Sequence, residues 1–377
     1  MANTTPSQQT YLPGTHPDLP PPVSTSGAIG WVRNNLFSSP LNIVLTVLSA
    51  WFLWTMIPPL LTWGLFDAVW QASSRKDCWA QMDVAEGAAC WAFIADRFQV
   101  FIYGFYPEGE RWRVNLSFVL FVIAVVYALY DRMPARRYGL WYCVAFPFIV
   151  GWLLFGGLFG LVAVETNDFG GIMLTMVLGV TAIAFSLPIG IVLALGRRST
   201  MPVLRIVCVL FIEFIRGVPL IALLFVASTM LNYFLPPGTF FDLLFRVLII
   251  MTLFASAYAA EVVRGGLQGI PRGQFEAADA MGLTYWKTHR LIILPQALKI
   301  SIPGFINTFI GTFKDTTLVL IIGMMDPLGI GRSALADAEW AGLAREMYLF
   351  IALFFFICCF SMSRYSLHLE KKLDTGH

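Results

Sequence analysis

Long runs of apolar residues alternate with short polar segments over most of the chain. A helix needs about 20 apolar residues to cross a hydrocarbon core of about 30 Å. Eight runs meet this requirement, and each predicts a transmembrane helix. They cover residues 41–63, 114–130, 140–164, 171–196, 202–234, 242–260, 297–323 and 347–365. The pattern therefore predicts an all-α integral membrane protein with about eight transmembrane helices.

Two of the eight runs are longer than one span requires and contain helix-breaking or charged residues. Gly217 and Pro219 interrupt the fifth run, and Lys314-Asp315 interrupts the seventh. Membrane helices tolerate such interruptions where neighbouring groups satisfy the freed backbone, so we expect both helices to be bent or broken. A further apolar stretch, 88–106, contains two charges and predicts an interfacial or re-entrant segment.

The composition agrees with a membrane location. Of the 377 residues, 58% are hydrophobic and 13% are charged, and the mean hydropathy is +0.71. Soluble domains carry about 25% charged residues, so the solvent for most of this chain is the lipid bilayer. The formal charge of +2 is too small to indicate nucleic acid as a partner. Residues 1–36 are polar and proline-rich, lack the features of a cleavable signal peptide, and predict a mostly disordered cytoplasmic tail.

Lysine and arginine residues are distributed unequally between the two sides of the membrane. When the amino terminus is placed inside, the inner segments hold fifteen of them and the outer segments hold seven. Because cytoplasmic loops carry the excess of positive charge, this distribution predicts that both termini are cytoplasmic.

Two loops are too long to be simple turns. The segment of about 64–113 is predicted on the outer side and contains Cys78 and Cys90, in a compartment where a disulfide persists. We expect these two cysteines to be bonded, whereas the other four lie in apolar runs and are interpreted as small buried residues. The segment 261–296 is predicted on the cytoplasmic side and combines Gly, Pro, Ala and charged residues with an apolar stretch.

The cytoplasmic segment 261–296 contains a short predicted helix. Pro271 and Gly273 form a turn, and residues 274–281 follow as a helix. Gly282 ends that helix, because glycine readily adopts the left-handed conformation found after a helix terminus.

One face of this short helix is formed by Phe275, Ala278 and Gly282, which lie at positions i, i+3 and i+7. A face with one large and two small residues suits docking into a groove of another protein. Small residues at helical spacing also pack against neighbouring membrane helices, and the residues alone leave these two interpretations about equal. Thr284 is expected to cap a second helix that leads back into the membrane.

The same segment resembles the EAA signature of the permease subunits of ABC importers. The signature residues, at the spacing of that family, are Glu276, Ala277, Ala278, Gly282, Ile292, Leu294 and Pro295. The sequences EFIRGVPL at 213–220 and YAAEVVRGGLQGIPRGQ at 258–274 are similar to the branch of the family that transports polar amino acids. The resemblance covers about 168–370 and makes docking the favoured interpretation.

The resemblance implies an ABC importer-type permease core over 168–377, in a bacterial inner membrane. It implies that the EAA loop forms a coupling helix in a cleft of an ATP-binding cassette ATPase subunit. A second, paralogous permease and a periplasmic amino-acid-binding protein are the other implied partners. ATP and Mg²⁺ are then bound by the ATPase, and no cofactor is expected on this chain. Residues 37–167, with three extra transmembrane helices, depart from compact permeases and resemble the permeases of general amino-acid importers.

Ionisable residues at membrane depth are costly and by default indicate a functional site. Glu213 and Arg216 lie three residues apart on one helix and are expected to pair along its face. We favour a structural role for this pair over direct substrate contact. Lys314, Asp315 and Thr316 interrupt the seventh span. In an amino-acid pathway, Asp315 meets the substrate ammonium and Lys314 or Arg216 meets its carboxylate, with mutual neutralisation of Lys314 and Asp315 as an equal alternative.

The sequence contains few residues or motifs that would indicate another class of function. No G-x-x-x-x-G-K-[ST] sequence is present, so this chain is not expected to hold ATP phosphates. The four histidines lack ligand spacing, and no metal site is expected. An ion-coupled secondary amino-acid transporter remains the alternative function, although it predicts an internal repeat that is not visible. An intramembrane enzyme requires a nucleophile with a base, and no such group is evident.

Glu261 and Arg264 are interpreted as an ordinary solvated pair at a helix end.

Overall fold

The computed structural model describes residues 27–81, 87–130, 133–230, 233, 236 and 241–373. The predicted disordered tail over 1–36 lies mostly outside these residues, and its last part, Gly27–Leu36, is helical and not disordered. The described residues form helices joined by short connections, and no β-strand longer than an isolated bridge occurs among them. The helices are α1 (Gly27–Leu36), α2 (Pro40–Leu61), α3 (Arg75–Gln81), α4 (Ala92–Tyr103), α5 (Arg111–Leu129), α6 (Arg136–Phe155), α7 (Gly171–Arg197), α8 (Pro202–Gly217), α9 (Leu220–Phe225), α10 (Leu243–Gln268), α11 (Arg272–Ala280), α12 (Tyr285–Thr288), α13 (Leu294–Asp315), α14 (Pro327–Leu335) and α15 (Ala344–Leu373).

The described helices include seven that are long and apolar enough to cross a membrane, and one bent pair that makes eight when it is counted as a single broken span. The seven are Pro40–Phe66, Glu108–Leu129, Arg136–Phe155, Gly171–Arg197, Leu243–Gln268, Tyr285–Ile322 and Ala344–Lys372. Together with the bent pair they match the eight apolar runs one to one. The predicted all-α membrane fold is therefore confirmed. Helix α4, in the stretch with two charges, has 12 residues and is too short to cross a bilayer.

The fifth span is broken where the sequence predicted a break. Helix α8 ends at Gly217, and the axis turns by 103° before the second half, Leu220–Met230. Val218 has an extended backbone, because the ring of Pro219 disfavours helical geometry at the preceding residue. The missing N–H of Pro219 also removes one intrahelical hydrogen bond.

The seventh span is continuous, so of the predicted bend or break at Lys314-Asp315 the break does not occur. Helix α13 reaches Asp315 and passes directly into a 3₁₀ segment, Thr316–Ile322. The hydroxyl of Thr316 donates to the carbonyl of Phe313 at 2.7 Å. This hydrogen bond satisfies a backbone carbonyl at the change from α-helix to the tighter 3₁₀-helix. The helix therefore continues through this point without a break.

The chain divides into two compact units, Met1–Ala68 with Met82–Ala89, and Val69–Gln81 with Cys90–His377. In the first unit, α2 begins after Ser39, whose hydroxyl accepts a hydrogen bond from the amide of Asn42 at 3.2 Å. This N-cap satisfies one of the amides that a helix start leaves free.

The centre of the second unit is the packing of α7 against α10. Gly190 makes this close approach possible, because a Cβ atom there would lie 2.7 Å from the Cβ of Ala259. Small residues of this kind let membrane helices pack backbone to backbone. Helix α13 joins the same core through Ala297 and Phe305, which are buried with Ala259 in one apolar cluster.

Helices α5 and α6 form a hairpin within the second unit. The Tyr127 ring fills the space beside Gly139, and the Tyr142 hydroxyl donates to the carbonyl of Leu120 at 2.8 Å. Helix α4 packs on α7 and α14, and its Phe93 ring lies 5.8 Å from the ring of Trp340. The segment around α4 is thereby held on the second unit.

Candidate functional sites

The short helix predicted in the cytoplasmic segment is α11, which begins two residues earlier than predicted. It ends at Ala280, and Gly282 follows with φ of +69°, a conformation that glycine adopts without strain. The amide of Leu283 donates to the carbonyl of Ala278 at 3.2 Å. This bond satisfies a carbonyl near the end of the helix, as in common C-terminal motifs.

The face predicted for docking is wrong at Ala278. This side chain is fully buried within the chain, and Phe275 on the same face packs against the α10 and α13 cluster. Gly282 is exposed, so the three residues do not form one accessible surface. The apolar side of α11 covers the ends of the membrane helices, and packing against the bundle therefore explains Phe275 and Ala278.

The opposite side of α11 is accessible. Glu276 and Ala277, the other two residues of the EAA triplet, are exposed, and so is Ala280. Glu276 and Ala280 are four residues apart and lie one above the other on the helix. Met281 follows with 65% of its surface exposed. Asp279, three residues after Glu276, is exposed as well, so solvent reaches a strip that combines small side chains with two carboxylates.

Several contacts hold α11 on the membrane helices. The side-chain amide of Gln296 donates to that of Gln274 at 3.2 Å, and the Arg198 guanidinium lies 5.9 Å from the Phe275 ring centroid. Of the three later signature residues, Ile292 and Leu294 are partly buried in the same cluster and Pro295 is exposed. Thr284 occupies the predicted N-cap position of α12, but its side chain makes no capping hydrogen bond.

Glu213 and Arg216 do not pair with each other, which corrects the predicted ion pair. Glu213 lies 2.8 Å from Arg197, and Arg216 lies 3.5 Å from Glu261. Glu261 also binds Arg197 at 2.7 Å and Arg264 at 2.8 Å. Its side chain is 14% exposed, so the interpretation of Glu261 and Arg264 as a solvated pair is also wrong. Two carboxylates from α8 and α10 thus share three guanidinium groups, and the partly buried Glu261 and Arg197 each have an opposite partner.

The polar group of the seventh span is arranged differently. Lys314 is exposed, Asp315 is partly buried and Thr316 is buried. Among the described residues, the Asp315 carboxylate accepts no hydrogen bond and takes part in no ion pair. Lys314 interacts with Asp315 electrostatically without a contact ion pair, so mutual neutralisation of the two charges stays an alternative to substrate contact.

A disulfide joins Cys78 and Cys90, with their Cα atoms 6.0 Å apart. The amide of Cys90 donates to the carboxylate of Glu346 at 3.1 Å, in the first turn of α15. The amide of Arg75 donates to the carbonyl of Glu339 at 2.9 Å. The disulfide therefore fixes a segment that is attached to the start of the last span.

Two functional candidates were missed by the sequence analysis. Arg197 was counted only as a loop charge, although it joins two carboxylates. Asp326 caps α14, where its Oδ1 accepts the amide of Gly329 at 2.8 Å. Asp326 is fully buried, its Oδ2 has no hydrogen-bond partner, and this burial raises its pKa to about 6. The Asp-Pro pair is a known start signal of a helix and could have identified this cap, whereas no local pattern identifies the partners of Arg197.

Residues 186–375 match the family model described as binding-protein-dependent transport system inner membrane component. The chain is 50% identical over 363 residues to the inner membrane amino-acid ABC transporter permease protein YhdY of Escherichia coli, covering 96% of this chain and 97% of that protein. It is 44% identical over 421 residues to the glutamate/glutamine/aspartate/asparagine transport system permease protein BztC of Rhodobacter capsulatus, covering 95% and 96% of the two chains. A solved structure described as an amino acid ABC transporter with histidines aligns with a TM-score of 0.48 and 29% identity, over 54% of this chain and 92% of that one.

Proposed function

Because the chain belongs to the family of binding-protein-dependent transport system inner membrane components, we propose that α11 couples its membrane helices to a cytoplasmic ATPase. The chain is the permease subunit of an amino-acid ABC transporter and a multi-pass protein of the inner membrane. It is a transport component rather than an enzyme, and an ATPase is its partner. The alternative function, an ion-coupled secondary transporter, gains no support from these relatives.

The exposed strip of Glu276, Ala277 and Ala280 supports this role for α11. One side of the helix is anchored on α10 and α13 through Phe275 and holds the buried Ala278, while the other side is open. A helix held in this way transmits a push on its open side to the spans beneath it, because packed interiors deform little. The small side chains leave room for the walls of a groove in the ATPase.

The coupling role is tested by placing bulk and charge on the open side. Ala277→Arg is expected to lower co-purification of the ATPase by at least about tenfold, since each tenfold step needs only about 1.4 kcal/mol. Amino-acid uptake should fall in parallel. The amount of chain in the membrane should stay unchanged, because the Ala277 side chain is exposed and its replacement displaces no packed atoms.

The matched control is Thr200→Arg, which adds the same charge to the exposed connection between α7 and α8. It should leave ATPase binding and uptake at their original values. Unaltered ATPase binding in Ala277→Arg, or an equal loss in both variants, would refute α11 as the coupling helix.

The remaining partners and the substrate route are also proposals. A paralogous permease completes the membrane part, and a periplasmic amino-acid-binding protein delivers the substrate. Both termini lie in the cytoplasm, and ATP with Mg²⁺ is held by the ATPase and not by this chain. Asp315 is the best candidate for the substrate ammonium, because its carboxylate has no ion-pair partner among the described residues. Glu213 and Arg216 are already engaged by Arg197 and Glu261.

A further inference from the structure

A cavity of about 290 Å³ lies between the α5–α6 hairpin and helices α7 and α10. Its walls are almost entirely aliphatic and aromatic. They include Phe118, Phe121, Phe148, Gly151, Val177 and Leu248. Ser117 and Thr181 are the polar residues of the lining, and no charged side chain belongs to it. The Ser117 hydroxyl is already used, because it donates to the carbonyl of Arg113 at 2.8 Å.

The cavity exists because the hairpin touches the core mainly through aromatic rings. At one end, the ring of Phe155 stacks on those of Phe169 and Phe245, each at 5.2 Å. Further along α6, the ring of Phe148 meets that of Phe185 on α7 at 5.6 Å. Between these contacts α6 has Gly151, where an added Cβ would meet no heavy atom within 4 Å. The helices are therefore held apart along this stretch.

The surroundings determine what occupies this space. The lining helices all belong to membrane spans, so the medium outside them is hydrocarbon. Water requires two to four polar partners at such a position, and one unused hydroxyl does not supply them. An empty space would cost its lining the dispersion contacts that a filled one provides. The remaining occupant that the bilayer offers is an acyl chain.

The extent of the cavity also fits one leaflet. Its wall on α7 runs from Met173 to Phe185, which is about 18 Å at 1.5 Å per residue. Half of a hydrocarbon core is about 15 Å thick. One acyl chain can therefore lie along this wall with its headgroup outside, near Phe169.

We propose that this cavity binds an acyl chain of a bilayer phospholipid, which fills the space between the α5–α6 hairpin and the core helices α7 and α10. The lipid is then a structural part of the subunit at this interface. The volume, close to the roughly 300 Å³ of the smallest ligand pockets, suits one chain and not a whole lipid.

The test uses the assembled transporter in native membranes that contain a phospholipid with a diazirine in its acyl chain. After illumination, mass spectrometry of the digested chain locates the labelled residues. We expect label on the cavity walls, at Met173 and Val177, above the label on freely exposed Val119. In Gly151→Phe, the added ring enters the cavity, so labelling of the walls should fall at least about fivefold. A fivefold loss corresponds to less than the roughly 1.4 kcal/mol of a tenfold change in affinity.

The control is Val119→Phe, which adds the same ring to α5 at an exposed position outside the cavity. It should leave the labelling of Met173 and Val177 unchanged. The proposal is overturned if the amount of label on each residue simply follows the exposed fraction of its side chain. It is also overturned if the cavity walls stay unlabelled because another subunit covers them, or if labelling of the walls in Gly151→Phe equals that in the control. Should Gly151→Phe fail to insert, the label map of the unaltered chain decides between these outcomes, with Gly151→Leu as a smaller filling variant.

Discussion

At the scale of single residues, the acidic groups differ in whether an opposite charge lies beside them. Glu261 has three arginine partners and Glu213 has one. Asp326 accepts the amide of Gly329 and interacts with Arg332 at longer range, and neither Asp326 nor Asp315 forms a contact ion pair among the described residues. Carboxylates of the first kind stabilise the folded chain when ionised. Carboxylates without an ion pair, such as Asp326 and Asp315, are costly when ionised. Replacing one of them by a neutral side chain therefore breaks no ion pair.

Asp326 makes the stability of the protein depend on pH in a predictable direction. Its pKa is about 6 in the folded protein and 3.8 ordinarily, so the folded state holds a proton that the unfolded chain releases between these values. Stability from this group is therefore full below about pH 4 and declines until about pH 6, by roughly 3 kcal/mol. Asp326→Asn keeps an acceptor for Gly329 and cannot titrate. The Tm of the variant should rise relative to the unaltered protein as pH increases from 4.5 to 7.

Other carboxylates titrate in the same range, so only the difference between the two proteins is informative. Thermal unfolding of the purified transporter at pH 4.5, 5.5, 6.5 and 7.5 provides it. A difference in Tm that stays constant over this range would contradict the expected shift at Asp326.

Asp315 should affect transport more than assembly. Asp315→Asn keeps the shape of the side chain and removes its charge, and no observed ion pair is lost. We expect lower amino-acid uptake, with normal amounts of assembled transporter and normal basal ATP hydrolysis. If Asp315 instead neutralised Lys314, the variant would leave a lone cation at membrane depth at about 2.5 to 3.5 kcal/mol, and assembly would fall. Recovery of both assembly and uptake in Lys314→Met with Asp315→Asn would exclude Asp315 as a substrate contact.

At the scale of elements, the sequence predicts the positions of the spans well but predicts poorly which helices contact each other. Lipid requires about 20 apolar residues per crossing, so a local pattern is sufficient to place each span. The break after Gly217 is equally local. The inward side of α11 and the partner of Glu213 depend on where α10, α13 and α7 lie, and no spacing within one helix contains that information. The seventh span stayed intact for a local reason, because the hydroxyl of Thr316 satisfies the carbonyl of Phe313 within the same span.

The two alanines of the EAA triplet should respond differently to the same change. Ala278→Leu forces bulk into a packed site and should destabilise the chain by about 1 to 3 kcal/mol, which lowers Tm. Because Ala277 is exposed, Ala277→Leu should change the free energy of unfolding by less than about 0.5 kcal/mol. It should instead weaken ATPase binding. Equal effects of the two variants on Tm would contradict the tight packing of the buried Ala278.

At the scale of the whole molecule, the chain is one subunit of a larger machine. The tagged full-length chain, purified in detergent and examined by mass spectrometry, should bring with it an ATPase and a related but different permease. A binding protein should be recovered after cross-linking on the outer side. Recovery of the ATPase with only further copies of this chain would show that the permease pair is homomeric and would contradict the paralogous partner.

The bend between α8 and Leu220–Met230 has a consequence for how the protein is made. Helix α8 has 16 residues, and the second half is shorter, so neither half reaches the length of about 20 at which a nascent segment leaves the translocon for lipid. While the ribosome is still making the second half, α8 must wait at the membrane surface, where its apolar side suits the headgroup region. Insertion then follows as a pair, when α10 is available as a neighbour. Nascent chains arrested when α8 has left the ribosome but Leu220–Met230 has not should keep Cys208 accessible to a water-soluble thiol reagent, and chains arrested after α10 has emerged should protect it.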